Sequence, residues 1–138
     1  MARVLIVDDE PDILLMLRVN LAAEGYDTSL AADGEKALQR IAEDDPDVVL
    51  LDVMMPVMDG WGVLNALKAD GAGKPPVIVV SAKSSDRDIA AALELGAVAF
   101  ITKPFEPHHL LEEVDRVLSS TPDELEASRL ATIARCGG

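Results

Sequence analysis

Four short apolar runs, each ending in a residue that can carry charge or donate a hydrogen bond, limit what this chain can fold into. The central run, residues 48–51, is followed by Asp52 and then by a loop closed by Asp59-Gly60. A continuous apolar run between turn residues is typical of a strand buried on both faces. Asp52 is therefore predicted at the carboxyl end of a parallel strand, the edge at which open α/β sheets bind ligands.

The other three runs end in a comparable way. Residues 4–7 precede Asp8 and Asp9, residues 77–80 precede Ser81, and residues 99–102 precede Lys103. Because parallel strands end at one edge of a sheet, three carboxylates, one hydroxyl and one ammonium are predicted to converge there. An aspartate can attack phosphorus as a nucleophile, and clustered carboxylates that would otherwise repel one another suit Mg²⁺.

Helical segments separate the strands, and a weaker alternating strand over residues 26–31 suits a sheet edge. Five strands alternating with five helices predict a doubly wound, three-layer α/β domain over residues 1–120. Residues 121–138 are predicted to form a short helical tail or a linker stub, because isolated helices of this length are marginal in water, and the alternative is a docking or dimer helix. Its expected apolar stripe is Leu130, Ile133 and Ala134.

Charge and composition narrow the possible partners and location. A net charge of −13 disfavours direct binding to nucleic acid or to anionic membranes. No apolar stretch approaches the roughly 18 residues of a membrane helix. The single cysteine, Cys136, is expected to be an exposed thiol in the tail, which suits a reducing compartment. We therefore expect a cytoplasmic protein with no membrane association.

In its strand-end residues and the segments around them, the chain resembles the receiver domain of bacterial two-component response regulators. The resemblance rests on five segments in order: Asp8-Asp9, Asp52, Met55-Pro56-Val57-Met58-Asp59-Gly60, Ser81-Ala82-Lys83, and Phe100-Ile101-Thr102-Lys103-Pro104-Phe105. It covers residues 3 to about 120, nearly the whole chain. It implies a flavodoxin-like parallel sheet with strand order 2-1-3-4-5, in which Asp8, Asp9 and Asp52 end adjacent strands.

The resemblance also implies a chemistry for the acidic residues. Asp52 would accept a phosphoryl group from a histidine kinase or a phosphotransfer protein. Mg²⁺ or Mn²⁺ would be held by Asp9, Asp52 and the backbone carbonyl of Met54, with Asp8 acting through water. Such a domain assists its own phosphorylation and dephosphorylation and is not an enzyme that acts on a separate substrate.

The remaining family positions imply a switch. Lys103 would contact the phosphoryl group, Ser81 would move to hydrogen-bond it, and Phe100 would then rotate inward. The Lys103-Pro104 peptide would be cis, a form essentially restricted to bonds that precede proline. The surface of the fourth helix, fifth strand and fifth helix would change, so that it binds a downstream protein or a second copy of the chain. Whether the receiver stands alone or belongs to a longer regulator stays open.

Three other classes of protein could account for an aspartate at a strand end. A phosphatase of the haloacid dehalogenase type needs a second acid two residues after the strand-end aspartate, where this chain has Met54. A flavodoxin needs a loop rich in hydroxyls and glycine after its first strand, where this chain has Asp8-Asp9-Glu10-Pro11. A degenerate receiver that acts only as a protein-interaction module is the remaining alternative, and the intact acid set argues against it.

Overall fold

The computed structural model describes residues 2–53, 60–70, 75–82 and 85–137. Strands and helices alternate along the chain, as predicted. Their bounds are β1 Arg3–Val7, α1 Pro11–Ala23, β2 Asp27–Ala31, α2 Gly34–Asp44, β3 Val48–Leu51, α3 Gly60–Asp70, β4 Val77–Ser81, α4 Asp86–Glu94, β5 Ala99–Thr102, α5 Pro107–Ser119 and α6 Pro122–Gly137. Among the described residues, no helix has the length and apolar character needed to cross a membrane.

The strands form one parallel sheet in the order β2-β1-β3-β4-β5. This confirms the predicted fold class and strand order. Val7 of β1 pairs with Leu51 of β3, so the residues that follow these two strands emerge side by side. Ser81 pairs with Thr102 of β5 and is the last residue of β4, whereas the sequence pattern ended that strand at residue 80.

Apolar side chains from the two faces of the sheet form two separate cores. In β3, Val49 and Leu51 belong to the cluster that includes residues of α2, α3 and α4. Val48 and Leu50 belong to the cluster that includes residues of α1 and α5. All four side chains of β3 are buried because alternate residues of a strand point to opposite faces. The sheet is therefore the middle of three layers.

Local sequence explains where several helices begin and end. The Asp33 side chain accepts a hydrogen bond from the backbone N–H of Lys36 and so caps α2. Ser85 and Asp88 form a reciprocal capping box at the start of α4. Gly25, just after α1, has a φ of 88°, a backbone conformation that glycine adopts without a Cβ penalty. These ends position the short loops that carry the strand-end residues.

The C-terminal helix differs from its expected form. The Thr121 and Glu124 side chains each accept a hydrogen bond from the other residue's backbone N–H, which gives α6 a capping box before its 16 residues. α6 packs against α4. Leu125 is buried and Ile133 packs against the core, whereas Leu130 and Ala134 are exposed. The predicted stripe was therefore wrong at Leu130 and Ala134, because packing on α4 turned a different face inward.

Candidate functional site

The carboxyl ends of β1 and β3 hold two aspartates almost out of contact with solvent. Asp8 is 2% exposed and Asp52 is 4% exposed. The backbone N–H of Asp52 donates to the carbonyl of Val7 over 2.9 Å, so sheet hydrogen bonding continues past the end of β3. The backbone N–H of Asp8 likewise donates to the carbonyl of Ala31 over 3.2 Å. The sheet backbone itself therefore fixes where both carboxylates lie.

The ammonium of Lys103 joins these two carboxylates. Its Nζ lies 2.8 Å from Oδ2 of Asp8 and 3.3 Å from Oδ2 of Asp52. Burial alone would lower the pKa of Lys103, but the hydrogen bond to Asp8 and the charges of Asp8 and Asp52 outweigh it and raise that pKa above its ordinary value of 10.5. The site thus contains a permanent positive charge beside the carboxylate of Asp52.

The ends of β4 and β5 complete this edge of the sheet. The backbone N–H of Lys103 donates to the carbonyl of Ser81 over 2.9 Å, and Ser81 has no exposed surface. The Lys103-Pro104 peptide bond is cis, as the resemblance implied. Phe100 lies three residues before Lys103 and is half-buried. Ser81 and Lys103 are therefore neighbours at the edge, while Phe100 lies further back in β5.

Two exposed acids lie beside Asp8 at the end of β1, in a group that does not include Asp52. Carboxylate oxygens of Asp8, Asp9 and Glu10 lie within 4.8 Å of one another, and Asp9 and Glu10 are exposed. The backbone N–H of Glu10 donates to Oδ1 of Asp8 over 2.9 Å, which holds this turn together. Hard oxygen donors of this kind fit Mg²⁺, which usually takes one or two carboxylates and keeps several waters. Glu10 is not among the strand-end residues that the sequence pattern predicted for this site, although its position directly after two aspartates pointed to the cluster.

The start of α3 packs directly onto the backbone that follows the phosphoacceptor candidate. A Cβ built on Gly60 would lie 2.4 Å from Cα of Val53 and 2.7 Å from the carbonyl oxygen of Asp52. Only a glycine allows this approach, and its N–H donates to the carbonyl of Val53 over 3.2 Å. Met54, whose carbonyl the resemblance assigned to the metal, lies outside the described residues, as do residues 55–59 of the loop motif and Lys83.

Among the described residues, Asp8, Asp52 and Lys103 form an acidic site with little exposure to water and an ammonium between two carboxylates. A carboxylate next to an ammonium can attack an electrophile whose outer oxygens are negatively charged, because the cation offsets their repulsion. The exposed carboxylates of Asp9 and Glu10, beside that of Asp8, can hold a hard divalent cation. This arrangement suits transfer of a phosphoryl group to Asp52, whereas its acids would repel the phosphate of a dinucleotide or flavin.

Comparison with known sequences agrees with this geometry. The family model described as "Response regulator receiver domain" matches residues 4–115. The DNA-binding response regulator MtrA of Mycolicibacterium smegmatis is 40% identical over 122 residues, which cover 88% of this chain and 53% of that protein. The alkaline phosphatase synthesis transcriptional regulatory protein PhoP of Bacillus subtilis is 39% identical over 116 residues, or 84% and 48% of the two chains. The chain thus spans about half the length of these relatives.

Solved structures give the same result. A receiver domain protein described as CheY-like from Methanospirillum hungatei has a TM-score of 0.80 and 32% identity, covering 92% of this chain and 98% of that one. The receiver domain of the Francisella response regulator 1452 has a TM-score of 0.81 and 32% identity, covering 86% and 97%. The similarity therefore extends over nearly the whole chain in both sequence and fold.

Proposed function

This chain belongs to the response regulator receiver domain family, and on that premise we propose that Asp52 accepts a phosphoryl group from a histidine kinase or a phosphotransfer protein. The observation that carries this assignment is the position of Asp52, buried at the end of β3 with the Lys103 ammonium 3.3 Å from its Oδ2. A carboxylate oxygen of Asp52 forms the new bond to phosphorus. The bond from phosphorus to the donor breaks, and the donor leaves with that electron pair.

Catalysis at such a site is mainly positioning and charge neutralisation. Lys103 pairs with one outer oxygen of the phosphoryl group as that group arrives beside Asp52. The Ser81 hydroxyl, at the neighbouring strand end, donates a hydrogen bond to another. We assign the divalent cation, Mg²⁺ or Mn²⁺, to Asp9 and Asp52, with Asp8 acting through water and with the carbonyl of Met54. Neutralisation of phosphoryl oxygens is the chemistry that this cation supplies when bound.

Glu10 belongs to the same proposal. Its carboxylate lies within 4.8 Å of those of Asp8 and Asp9 and is exposed, so it adds negative charge at the rim where a cation enters. The domain is a phosphoacceptor that assists its own phosphorylation and dephosphorylation. We propose that it works in the cytoplasm, where the donor kinases of such systems present their phosphohistidine.

The output is a change of surface. On phosphorylation, Ser81 moves toward the phosphoryl group and Phe100 rotates inward, which changes the surface formed by α4, β5 and α5. The relatives MtrA and PhoP are described as a DNA-binding regulator and a transcriptional regulator, and this chain matches about half of each. Its net charge of −13 favours a protein target or a second copy of the chain over direct contact with nucleic acid. We assign residues 1–120 to the receiver and residues 121–138 to a helical tail.

The assignment of Asp52 is tested by phosphorylation with acetyl phosphate, with and without Mg²⁺. We expect the wild-type chain to gain the mass of one phosphoryl group, in a bond that hydroxylamine cleaves, only when Mg²⁺ is present. Asp52→Asn should gain none, because an amide is not a nucleophile toward phosphorus. The matched control is Asp45→Asn, an exposed residue with a positive φ that asparagine adopts well, and it should react like the wild type. Incorporation into Asp52→Asn at the wild-type level would refute the assignment.

A further inference from the structure

The last helix lies on the surface that the receiver would use for output. α6 packs against α4, and together with α5 and β5 it lines a cavity of about 630 Å³. Ile89 of α4 and Phe100 of β5 lie on one side of this cavity, and Thr132 and Cys136 of α6 lie on the other. β5 is an edge strand of the sheet, and natural proteins often cover such edges with a helix. The family match ends at residue 115, before α6 begins.

A specific polar contact holds α6 in this position. Nη1 of Arg129 donates to the backbone carbonyl of Leu93 over 2.7 Å. Leu93 lies in the last turn of α4, where its carbonyl also accepts a hydrogen bond from the backbone N–H of Gly96 over 3.0 Å and where a positive charge is favourable. Glu126 holds the guanidinium in place with hydrogen bonds of 2.9 Å and 2.5 Å. α6 therefore adds a charged donor to the backbone hydrogen bonds that already cap the end of α4.

The apolar part of the contact is shallow. Leu125 joins the core cluster that contains residues of α5, and Ile133 packs against the other cluster, so α6 reaches both cores. Among the side chains of α6 that the structure describes, Leu125 is the buried one and is still 9% exposed, whereas α5 buries Leu110, Val114 and Val117. Contacts with little buried apolar area open at low free-energy cost. The capping box at Thr121 and Glu124 stabilises the first turn of α6 by contacts within the helix itself.

We propose that the surface formed by α4, β5 and α5 is a binding site for an amphipathic helix, that α6 is its occupant in the unphosphorylated chain, and that phosphorylation of Asp52 releases α6. The release rests on the proposed function of Asp52, while the occupancy does not. Phe100 connects the two, because it lies in β5 three residues before Lys103 and also lines the cavity under α6. A shift of this ring changes the packing of α6, and α6 in turn favours the unphosphorylated arrangement.

The sole cysteine of the chain gives a direct measurement. Cys136 is half-buried and lines the cavity, so its reaction with a thiol reagent such as dithionitrobenzoate reports release of α6. Ile133→Asp places a charge in the contact and should raise the labelling rate by about tenfold. Leu130→Asp is the matched control, since Leu130 is 52% exposed on the same helix, and its rate should stay at the wild-type value. Equal rates for the two variants would overturn the occupancy.

Arg129→Ala provides a second variant, with the same expected increase in labelling, in case Ile133→Asp perturbs the fold. Far-ultraviolet circular dichroism and the unfolding midpoint of each variant establish that the domain remains folded. Faster labelling accompanied by an intact unfolding transition supports occupancy. A labelling rate for Arg129→Ala and for Ile133→Asp equal to that of the wild type would show that α6 does not protect this surface.

The release is measured on the wild-type chain after acetyl phosphate and Mg²⁺, with phosphoryl incorporation determined by mass in the same sample. We expect faster labelling of Cys136 in the phosphorylated chain and an unchanged rate in Asp52→Asn treated in the same way. A phosphorylated chain that labels at the resting rate would overturn the release and leave the role of Asp52 intact. Failure of the wild type to gain a phosphoryl group would instead refute the proposed function, and the variant comparison would still decide occupancy.

Discussion

The carboxyl edge of the sheet and the contact between α6 and α4 differ in how far their side chains are buried and in which polar interactions stabilise them. At the edge, Asp8 and Asp52 are 2% and 4% exposed and share the ammonium of Lys103. In the α6 contact, most side chains are half-buried or exposed, and the central polar contact is the one from Arg129 to Leu93. The carboxyl edge of the sheet thus holds charged groups that are buried, whereas the contact between α6 and α4 consists of side chains that lie closer to solvent.

This difference separates a fixed site from a movable element. A buried charge that loses its partner is strongly destabilising, so the carboxyl edge must keep its geometry for the domain to remain folded. A shallow contact can open without unfolding the domain, because little apolar area and few hydrogen bonds are lost. Our two proposals therefore assign the reactive groups to strand ends fixed by the sheet and the regulated surface to a helix contact nearer to solvent.

Removing the cation from the edge should have the largest effect on stability. Lys103→Met keeps the length of the side chain but leaves Asp8 and Asp52 buried beside each other without a positive charge. We expect a loss of about 3 kcal/mol in the free energy of unfolding at neutral pH without divalent cations. Urea denaturation measures it. Lys36→Met, at an exposed position of α2, is the control and should change stability by less than about 0.5 kcal/mol. A Lys103→Met chain as stable as the control would show that the contacts of Lys103 with the two aspartates are not the main interaction at this edge.

The contacts of Lys103 with Asp8 and Asp52 also predict that the free energy of unfolding depends on pH in the alkaline range. Because the pKa of Lys103 is raised in the folded state, the folded chain retains a proton that the unfolded chain loses first. The contribution of Lys103 to stability is therefore complete below the ordinary value of 10.5 and is lost as pH rises through the higher folded pKa. The difference in unfolding free energy between wild type and Lys103→Met should shrink in that range. A difference that stays constant to higher pH would contradict the raised pKa.

A methyl group at the start of α3 should perturb the edge through the backbone. Gly60→Ala would place its Cβ 2.4 Å from Cα of Val53, so α3 or the segment after Asp52 must move. We expect a loss of about 2 kcal/mol from this overpacking and slower phosphorylation of Asp52. Gly25→Ala is the comparison, because the space around it is open and only its positive φ penalises alanine. It should lower stability by about 1 kcal/mol and leave phosphorylation unchanged. Phosphorylation of Gly60→Ala at the wild-type rate would contradict this prediction, because it would mean that Asp52 keeps its position when α3 or the segment after Asp52 moves.

The smallest effect is expected at the α6 contact. Arg129→Ala removes the hydrogen bond to the carbonyl of Leu93 and the favourable charge at the end of α4. We expect the free energy of unfolding to fall by about 1 kcal/mol, with amide exchange in α6 rising more than in α5. Arg135→Ala, an exposed position in the last turn of the same helix, should have less effect. If α5 and α6 gained exchange equally, the contact would belong to the global fold and would not open by itself.

The apolar runs and their strand-end residues carried most of the fold and of the site. Residues 48–51 are all buried in β3, and Asp8, Asp52, Ser81 and Lys103 lie together at one edge, as their positions after parallel strands predicted. A continuous apolar run bounded by turn residues can satisfy its backbone and bury its side chains in few ways other than a central strand. The roles of these residues in phosphoryl transfer stay predictions until the experiments above are made.

Sequence alone therefore determined which residues form the strands and which polar side chains end or follow them. Successive side chains of a strand point to opposite faces, so a short run of residues is enough to reveal a strand, and the carboxyl ends of parallel strands lie at one edge of the sheet. Tertiary structure decided which face of α6 is buried, since Leu130 and Ile133 are equally apolar and only the position of α4 distinguishes them. It also decided the close approach at Gly60 and the hydrogen bond that Arg129 donates to the carbonyl of Leu93, 36 residues away. Both are contacts between segments distant in sequence, and no local periodicity encodes the distance between them.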